Sequence, residues 1–259
     1  MENDGFLLSV EELALAMSIV GKPEMAHSVM VAQLGDMRQE EAHARLLTAG
    51  HALMARGWLM MDAQGAMQLA DPLIRVARAL SRADFSIRYS RSQPSADLSL
   101  SFHFGESGIF AHRIEQGVVH HITEVQGSSV VIQGGQEFFE LAQTGRFTCP
   151  SAEIPEDLLN EIKDGEDASS ILERLEQAGV PDETRTLLTE DLHKVQYRGS
   201  ILRVEYGQDN VPRSDRGLLV LRGPKRLWLL RPLIQGEKRC VTVVPGTEET
   251  FQQEVAALL

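Results

Sequence analysis

The spacing of apolar and polar residues predicts that the first part of the chain is helical. Apolar side chains recur at helical spacing through residues 9–80. Ser9 is followed three positions later by Glu12, which matches the capping box that begins many helices. Within this segment, residues 59–69 predict a small hairpin that turns at Gln64 and Gly65.

Strands are predicted after this helical segment. From Phe85 the apolar period changes to two, which predicts four short strands as far as residue 125. A fifth strand is predicted over residues 128–133, and a short helix over residues 135–142 follows it. The glycine pair between these two elements is interpreted as a turn.

The second half of the chain passes through the same kinds of element again. Two prolines in TCPSAEIPED interrupt the pattern, and we place the boundary between two lobes there, at residues 150 and 151. The predicted fold class is α/β of the α+β kind, with two pseudo-symmetric lobes. In lobe 1-150 the predicted segments are a helical cap (1-80) and a meander with a short helix (85-142); in lobe 151-259 they are helices (155-195), a meander (200-244) and a C-terminal helix (247-259).

A shift of 119 residues aligns RIEQGVVHHITEV with PLIQGEKRCVTVV without a gap, so that Gln116 and Gly117 fall on Gln235 and Gly236. This alignment predicts that residues 85–142 and 201–259 are two copies of one unit. The apolar positions that the copies share are expected to be buried. They are Leu100, Phe102, Leu219 and Leu221.

Histidines are concentrated in the first copy of this unit. If Gln116 and Gly117 form a two-residue turn, His112 lies opposite His121 on one face of a strand ladder. These two residues are weak candidates for metal ligands, because a metal needs three or four converging ligands and no nearby acid or cysteine supplies the rest. The second copy builds the same hairpin without histidine. We therefore predict no metal and no cofactor.

Composition limits the partners of the chain. The formal net charge is −12, and acidic residues outnumber basic ones in residues 1–80, 81–150 and 151–259 alike. This balance predicts no nucleic-acid partner, because binding draws much of its affinity from phosphate neutralisation. No apolar run is long enough to span a bilayer, which predicts no membrane partner. The two cysteines and the absence of a basic, apolar leader predict a cytoplasmic location.

Sequence signatures of catalysis are absent. The chain contains no GxSxG elbow, no GxxxxGK phosphate loop and no GxGxxG after a strand. We therefore expect a protein-binding module and not an enzyme. The alternative is a winged-helix transcriptional regulator or DNA-associated adaptor that uses residues 9-80, although the segment lacks a basic recognition helix.

The order of elements resembles the EspG family, cytosolic chaperones associated with type VII secretion. The similar layout extends from LSVEELALA, through LMARGWLMMDAQGAMQLADPL and FSIRYS, to RGLLVLRGPKRLWLLRPLIQGEKRCVTVVPGTEE. The resemblance implies a mixed fold with two related lobes. It also implies a partner, a helical secretion substrate of the WXG100 or PPE type, which the protein would keep soluble. The oligomeric state does not follow from it.

The resemblance also indicates where such a partner would bind. Members that bind PPE-type substrates use a longer loop between the second and third strands, together with helices of the second half. Here that loop shortens to residues 104–108. In the second half, apolar residues recur at helical spacing beside acids. The expected partner-binding residues are therefore Gly105, Glu106, Ser107 and Gly108 in the loop, and Ile171, Leu172, Leu175 and Glu176 in the helix.

Overall fold

A computed structural model of the chain describes residues 5–93, 96–163, 165–207, 211–235 and 238–259. Its mixture of helices and antiparallel strands confirms the predicted α+β fold class. The helices are α1 Val10–Ile19, α2 Pro23–Leu34, α3 Gln39–Ala55, α4 Asp71–Ser81, α5 Ser129–Phe138, α6 Glu156–Glu161, α7 Ala168–Gln177, α8 Asp182–Leu192 and α9 Glu248–Leu258. The strands are β1 Phe6–Ser9, β2 Leu59–Met61, β3 Met67–Leu69, β4 Phe85–Gln93, β5 Ala96–Gly105, β6 Gly108–Glu115, β7 Val119–Val125, β8 Ala152–Pro155, β9 Tyr197–Tyr206, β10 Pro212–Arg222, β11 Leu227–Gln235 and β12 Lys238–Pro245.

The described residues form two compact units that interleave along the chain. The first unit comprises the described residues as far as Ser86, together with Leu100–Gly127 and Glu205–Val211. The second comprises Ile87–Ser99, Ser128–Val204 and Pro212–Leu259. The predicted lobes 1–150 and 151–259 are contiguous in the sequence, whereas these two units are defined by contacts between residues. The division into lobes stays a prediction.

The first unit packs α1, α3 and α4 around a sheet whose strand order is β1-β7-β6-β5. The predicted capping box is present: Ser9 Oγ accepts from Glu12 N at 3.2 Å, and Ser9 N donates to a Glu12 carboxylate oxygen at 2.8 Å. Leu13, Leu53 and Ile122 are fully buried in the core of this unit. Strand β1 lies within the segment that was predicted to be helical, and it pairs antiparallel with β7.

The predicted hairpin over residues 59–69 is confirmed. It consists of β2 and β3, and the pair Met61↔Met67 lies nearest its turn. The Asp62 carboxylate accepts from the backbone N–H groups of Gln64 and Ala66, at 2.9 and 2.8 Å. A local side-chain acceptor of this kind is typical of a tight turn.

The second unit contains a sheet with the strand order β4-β9-β10-β11-β12-β8. Helices α6, α7 and α8 cover one face, where Ile171, Leu188, Trp228 and Val243 are buried together. Elsewhere in this unit, helices α5 and α9 pack side by side. These contacts explain why most apolar residues of α6 to α8 lie on the side that faces the sheet.

Residues 128–133 are not the predicted fifth strand, because they belong to helix α5. Val131 is buried, and the glycine that was interpreted as part of a turn lies inside the helix. A Cβ at Gly135 would lie 2.7 Å from the ring of Tyr89 and 3.0 Å from that of Phe251. Gly135 is therefore needed for close packing of the helix, and tertiary contacts override the strand propensity of the valines.

The element bounds agree with the duplication in part. With the shift of 119 residues, α5 falls on residues 248–257, which lie within α9, and β6 and β7 fall on β11 and β12. The alignment at Gly236 lies outside the described residues. Superposition of the two copies stays a prediction.

Burial of the four shared apolar positions is confirmed for two of them. Phe102 and Leu221 are buried, whereas Leu219 is 40% exposed and Leu100 is half-buried. The prediction was wrong for Leu219, because its strand carries apolar residues on both faces and the cover of one face is incomplete at this position.

Candidate functional site

Three histidines from neighbouring strands form a ladder in the first unit. His103 lies on β5, His112 on β6 and His120 on β7. The ring of His112 stacks on that of His120 with centroids 5.0 Å apart, and its Nε2 lies 2.8 Å from His120 Nδ1. His120 Nε2 lies 3.0 Å from the side-chain oxygen of Gln33 on α2, and His103 Nδ1 lies 2.9 Å from Ser86 Oγ.

The register of this ladder differs from the predicted one. Glu115 pairs with Val119, so the loop has three residues and not two. His112 therefore lies opposite Ile122, and His121 lies opposite Arg113. A shift of one residue exchanges the two faces of a strand. The prediction that His112 faces His121 was consequently wrong, and the residue that meets His112 is His120.

Burial keeps His120, at one end of the ladder, neutral. His120 is 1% exposed, and burial lowers its pKa from 6.5 to about 4. Because the Gln33 oxygen can only accept, His120 carries its proton on Nε2, and its Nδ1 accepts from His112 Nε2–H. Through the bond between His120 and Gln33, the ladder connects α2 to the sheet. Within the described ranges, no group of three His, Cys, Asp or Glu residues is placed to hold a metal ion.

The hairpin tip between β5 and β6 is the first of the two expected partner-binding regions. Gly105 pairs with Gly108, so Glu106 and Ser107 alone form the turn. Gly108 has a φ of +114°, a conformation that L side chains rarely adopt. Glu106 is exposed. The shortened loop is therefore a tight turn that presents one acidic side chain.

An arginine on α4 supports the tip. Arg75 donates to the carbonyl oxygen of Ser107 at 3.2 Å and forms an ion pair with Glu124. Its guanidinium also lies 5.9 Å from the centre of the Phe110 ring. Beside the tip is a cleft of about 600 Å³. Its lining residues include Arg78, Arg82, Asp84, Glu106 and Ser107, so it offers charged groups of both signs.

Helix α7, the second expected region, lies in the second unit. Its N-cap is Asp167, whose carboxylate accepts from Ser169 N at 3.0 Å. Ile171 and Leu175 are 0% exposed in the core, so they are not accessible to a partner. Leu172 is 38% exposed, and Glu176 is exposed and forms an ion pair with Arg185 at 3.4 Å. The accessible part of this region is therefore reduced to Leu172 and Glu176.

A buried polar cluster in the second unit was missed by the sequence analysis. The Asp191 carboxylate is fully buried and accepts from Arg226 Nε at 2.8 Å and from Trp228 Nε1 at 2.9 Å. Gly223 approaches it so closely that a Cβ there would lie 2.2 Å from an Asp191 oxygen. The partners are at least 32 residues from Asp191 in the sequence, and no local pattern indicates the pairing. The bond to Trp228 connects α8 to β11.

The winged-helix outline of residues 9–80 is present as α1, α2, α3 and the β2–β3 hairpin. Its solvent-facing side does not have the charge that DNA requires. The first turn of helix α3 carries Glu40 and Glu41, and Arg45 forms ion pairs with Glu41 and Glu11, each at 3.1 Å. Phosphate binding by this helix is disfavoured, because its arginine is already neutralised.

Comparison of the sequence with known proteins identifies the family to which the chain belongs. Residues 5–250 match the family described as "Uncharacterised protein YfjC". The chain belongs to this family. It is similar to the protein of that name from Bacillus subtilis (strain 168), with 23% identity over 260 residues, 97% of this chain and 98% of the relative.

A solved structure has the same fold over nearly the whole chain. It is the Mycobacterium tuberculosis type VII secretion system chaperone EspG5, determined in complex with a PE25-PPE41 dimer. The match has a TM-score of 0.69 and 11% identity, and it covers 98% of this chain and 95% of EspG5. The resemblance to the EspG family is therefore confirmed at the level of the fold. Among the described residues, no helix combines the length and apolar character needed to cross a membrane.

Proposed function

We propose that this protein is a non-enzymatic chaperone that keeps a helical type VII secretion substrate, of the WXG100 or PPE type, soluble in the cytosol. The observation that carries the proposal is the EspG5-like fold over 98% of the chain, because that structure is of a chaperone in complex with other proteins. A fold can serve several functions, so the residues of the binding surface decide which partner a protein binds.

Two surfaces support this function. The hairpin tip presents Glu106 on a turn that Arg75 holds by its bond to the Ser107 carbonyl oxygen. An amphipathic helix can use both the tip and the neighbouring cleft, where Arg78 and Arg82 offer donors to acidic groups. On α7, Leu172 offers an exposed apolar side chain next to the acidic Glu176. Apolar contact with a charged rim is the usual way to bind an amphipathic helix.

The test is co-expression with candidate clients. Each small WXG100-type or PPE-type protein from the same genome is produced with and without this protein, and its soluble fraction is measured. The chaperone should raise the soluble fraction of at least one client, and Glu106→Arg or Glu176→Arg should reduce that effect. Glu24→Arg, which reverses an exposed charge on α2, is the matched control and should behave like the wild type.

Two results would contradict the proposal. One is that no client becomes more soluble in the presence of the wild-type protein. The other is that all variants, including Glu24→Arg, solubilise a client equally, which would leave the hairpin tip and α7 without a role in binding.

A further inference from the structure

Exposed apolar side chains are concentrated in the first unit. Ten large apolar side chains are exposed among the described residues, and six of these belong to β1, α3 and the β2–β3 hairpin. Single exposed apolar residues are common on protein surfaces, but a concentration of them marks an interaction site. The six are between 36% and 59% exposed, and they are Leu7, Leu47, Met54, Met60, Met61 and Met67.

These residues share defined positions in their elements. Leu47 and Met54 are seven residues apart on α3, so they lie two turns apart along one line of the helix. Met61 pairs with Met67, so both side chains lie on one face of the hairpin. The ring of Trp58 contacts that of Phe6 on β1 in a tilted arrangement, with centroids 5.0 Å apart, which places the start of the hairpin beside exposed Leu7.

The segment that carries most of these apolar side chains has few charged residues. Residues 43–69 contain only one of the chain's 37 acidic residues, Asp62, and two arginines. Asp62 is engaged with backbone N–H groups of its own turn, and Arg56 donates to the carbonyl oxygen of Leu7 at 3.0 Å and pairs with Glu12. Interface cores are depleted of charged residues and enriched in methionine.

The charge also indicates which partner fits. With a net charge of −12, two copies of this chain repel each other wherever their acidic faces meet. The acids that lie beside residues 43–69 are already paired, Glu11 and Glu41 with Arg45 and Glu12 with Arg56, so two copies can meet here with few unpaired carboxylates. A two-fold contact places the same patch on both sides, so a nearly neutral apolar patch is complementary to itself. A basic partner such as a polycationic peptide would find few acids to pair with here.

We infer that α3 and the β2–β3 hairpin form a homodimer interface, and that its occupant is a second copy of this chain. The methionines adapt well to a contact that must match itself across a two-fold axis, because their side chains are flexible and polarisable. The hairpin also lacks the lysines and prolines that protect a strand edge against association. This inference is independent of the proposed client.

Sedimentation equilibrium of the full chain tests the homodimer inference. The concentrations should run from about 1 to 100 µM, because this range populates a dimer of micromolar Kd. The wild-type protein should have the mass of a dimer at the upper end. Met61→Glu and Leu47→Glu each place two carboxylates in the interface, one per copy, and should raise the Kd at least about tenfold. Leu172→Glu, at an exposed leucine on α7, is the matched control and should leave the Kd unchanged.

Circular dichroism spectra establish whether each variant retains its fold. If a variant unfolds, hydrogen exchange of the wild-type protein decides instead: amides of residues 59–69 should exchange more slowly at high than at low concentration. A monomer at every concentration would overturn the inference. A dimer unaffected by either substitution, a dimer equally weakened by Leu172→Glu, or concentration-independent exchange of residues 59–69 would also overturn it.

Discussion

The buried His120 should make folding sensitive to acid, in a direction that follows from its pKa. In the folded protein, burial lowers that pKa from 6.5 to about 4. At pH 7 the imidazole is neutral in the folded chain and mainly neutral in the unfolded chain. As the pH falls below 6.5, the unfolded chain takes up a proton that the folded chain resists, so the free energy of unfolding decreases. The loss is complete near pH 4 and amounts to about 3 kcal/mol, at about 1.4 kcal/mol for each pKa unit.

A non-titrating substitution isolates this effect from the other groups that titrate in the same range. In His120→Gln the free energy of unfolding should fall by about 3 kcal/mol less between pH 7 and pH 4 than in the wild type. Urea denaturation at several pH values, followed by far-ultraviolet circular dichroism, measures the difference. His43→Gln changes an exposed histidine on α3 and should retain the wild-type pH dependence. An equal loss in the wild type and His120→Gln would refute the reasoning.

Three further predictions concern backbone conformation, a buried charge and a helix cap, and urea denaturation at pH 7 measures each. Gly108→Ala should destabilise the protein by about 1–3 kcal/mol, because φ is +114° there; an unchanged midpoint would contradict it. Asp191→Ala removes the buried carboxylate that accepts from Arg226 and Trp228 but leaves the ion pair of Arg226 with Glu190, and it should cost about 3–5 kcal/mol, so a loss below about 1 kcal/mol would count against a structural role. Thr247→Ala removes the acceptor for Thr250 N at the start of α9 and should cost about 1 kcal/mol; the matched exposed change Thr186→Ala, inside α8, should cost less.

Several features could be predicted because they depend on residues close together in the sequence. The capping box at Ser9 and Glu12 and the hairpin around Asp62 arise from contacts within four residues. The change of period at Phe85 marks the beginning of β4 for the same reason, since alternation along one strand exposes and buries successive side chains. The alignment at a shift of 119 residues also predicts one helix that the apolar pattern alone did not. It aligns α5 with α9, and so it could have identified residues 129–138 as a helix.

The remaining features depend on partners that are distant in the sequence. Strand β1 has four residues, too few to show a period, and it is a strand because β7 pairs with it. One additional loop residue before Val119 decides that His112 meets His120 and not His121. On α7, Ile171 and Leu172 are adjacent apolar residues in the sequence, but only packing against the sheet buries the first and leaves the second exposed. The sequence by itself therefore determined the order and period of the elements, because those follow from local conformation. The tertiary structure alone decided register, burial and the accessible part of the candidate site, because each depends on which distant residues exclude water from a side chain.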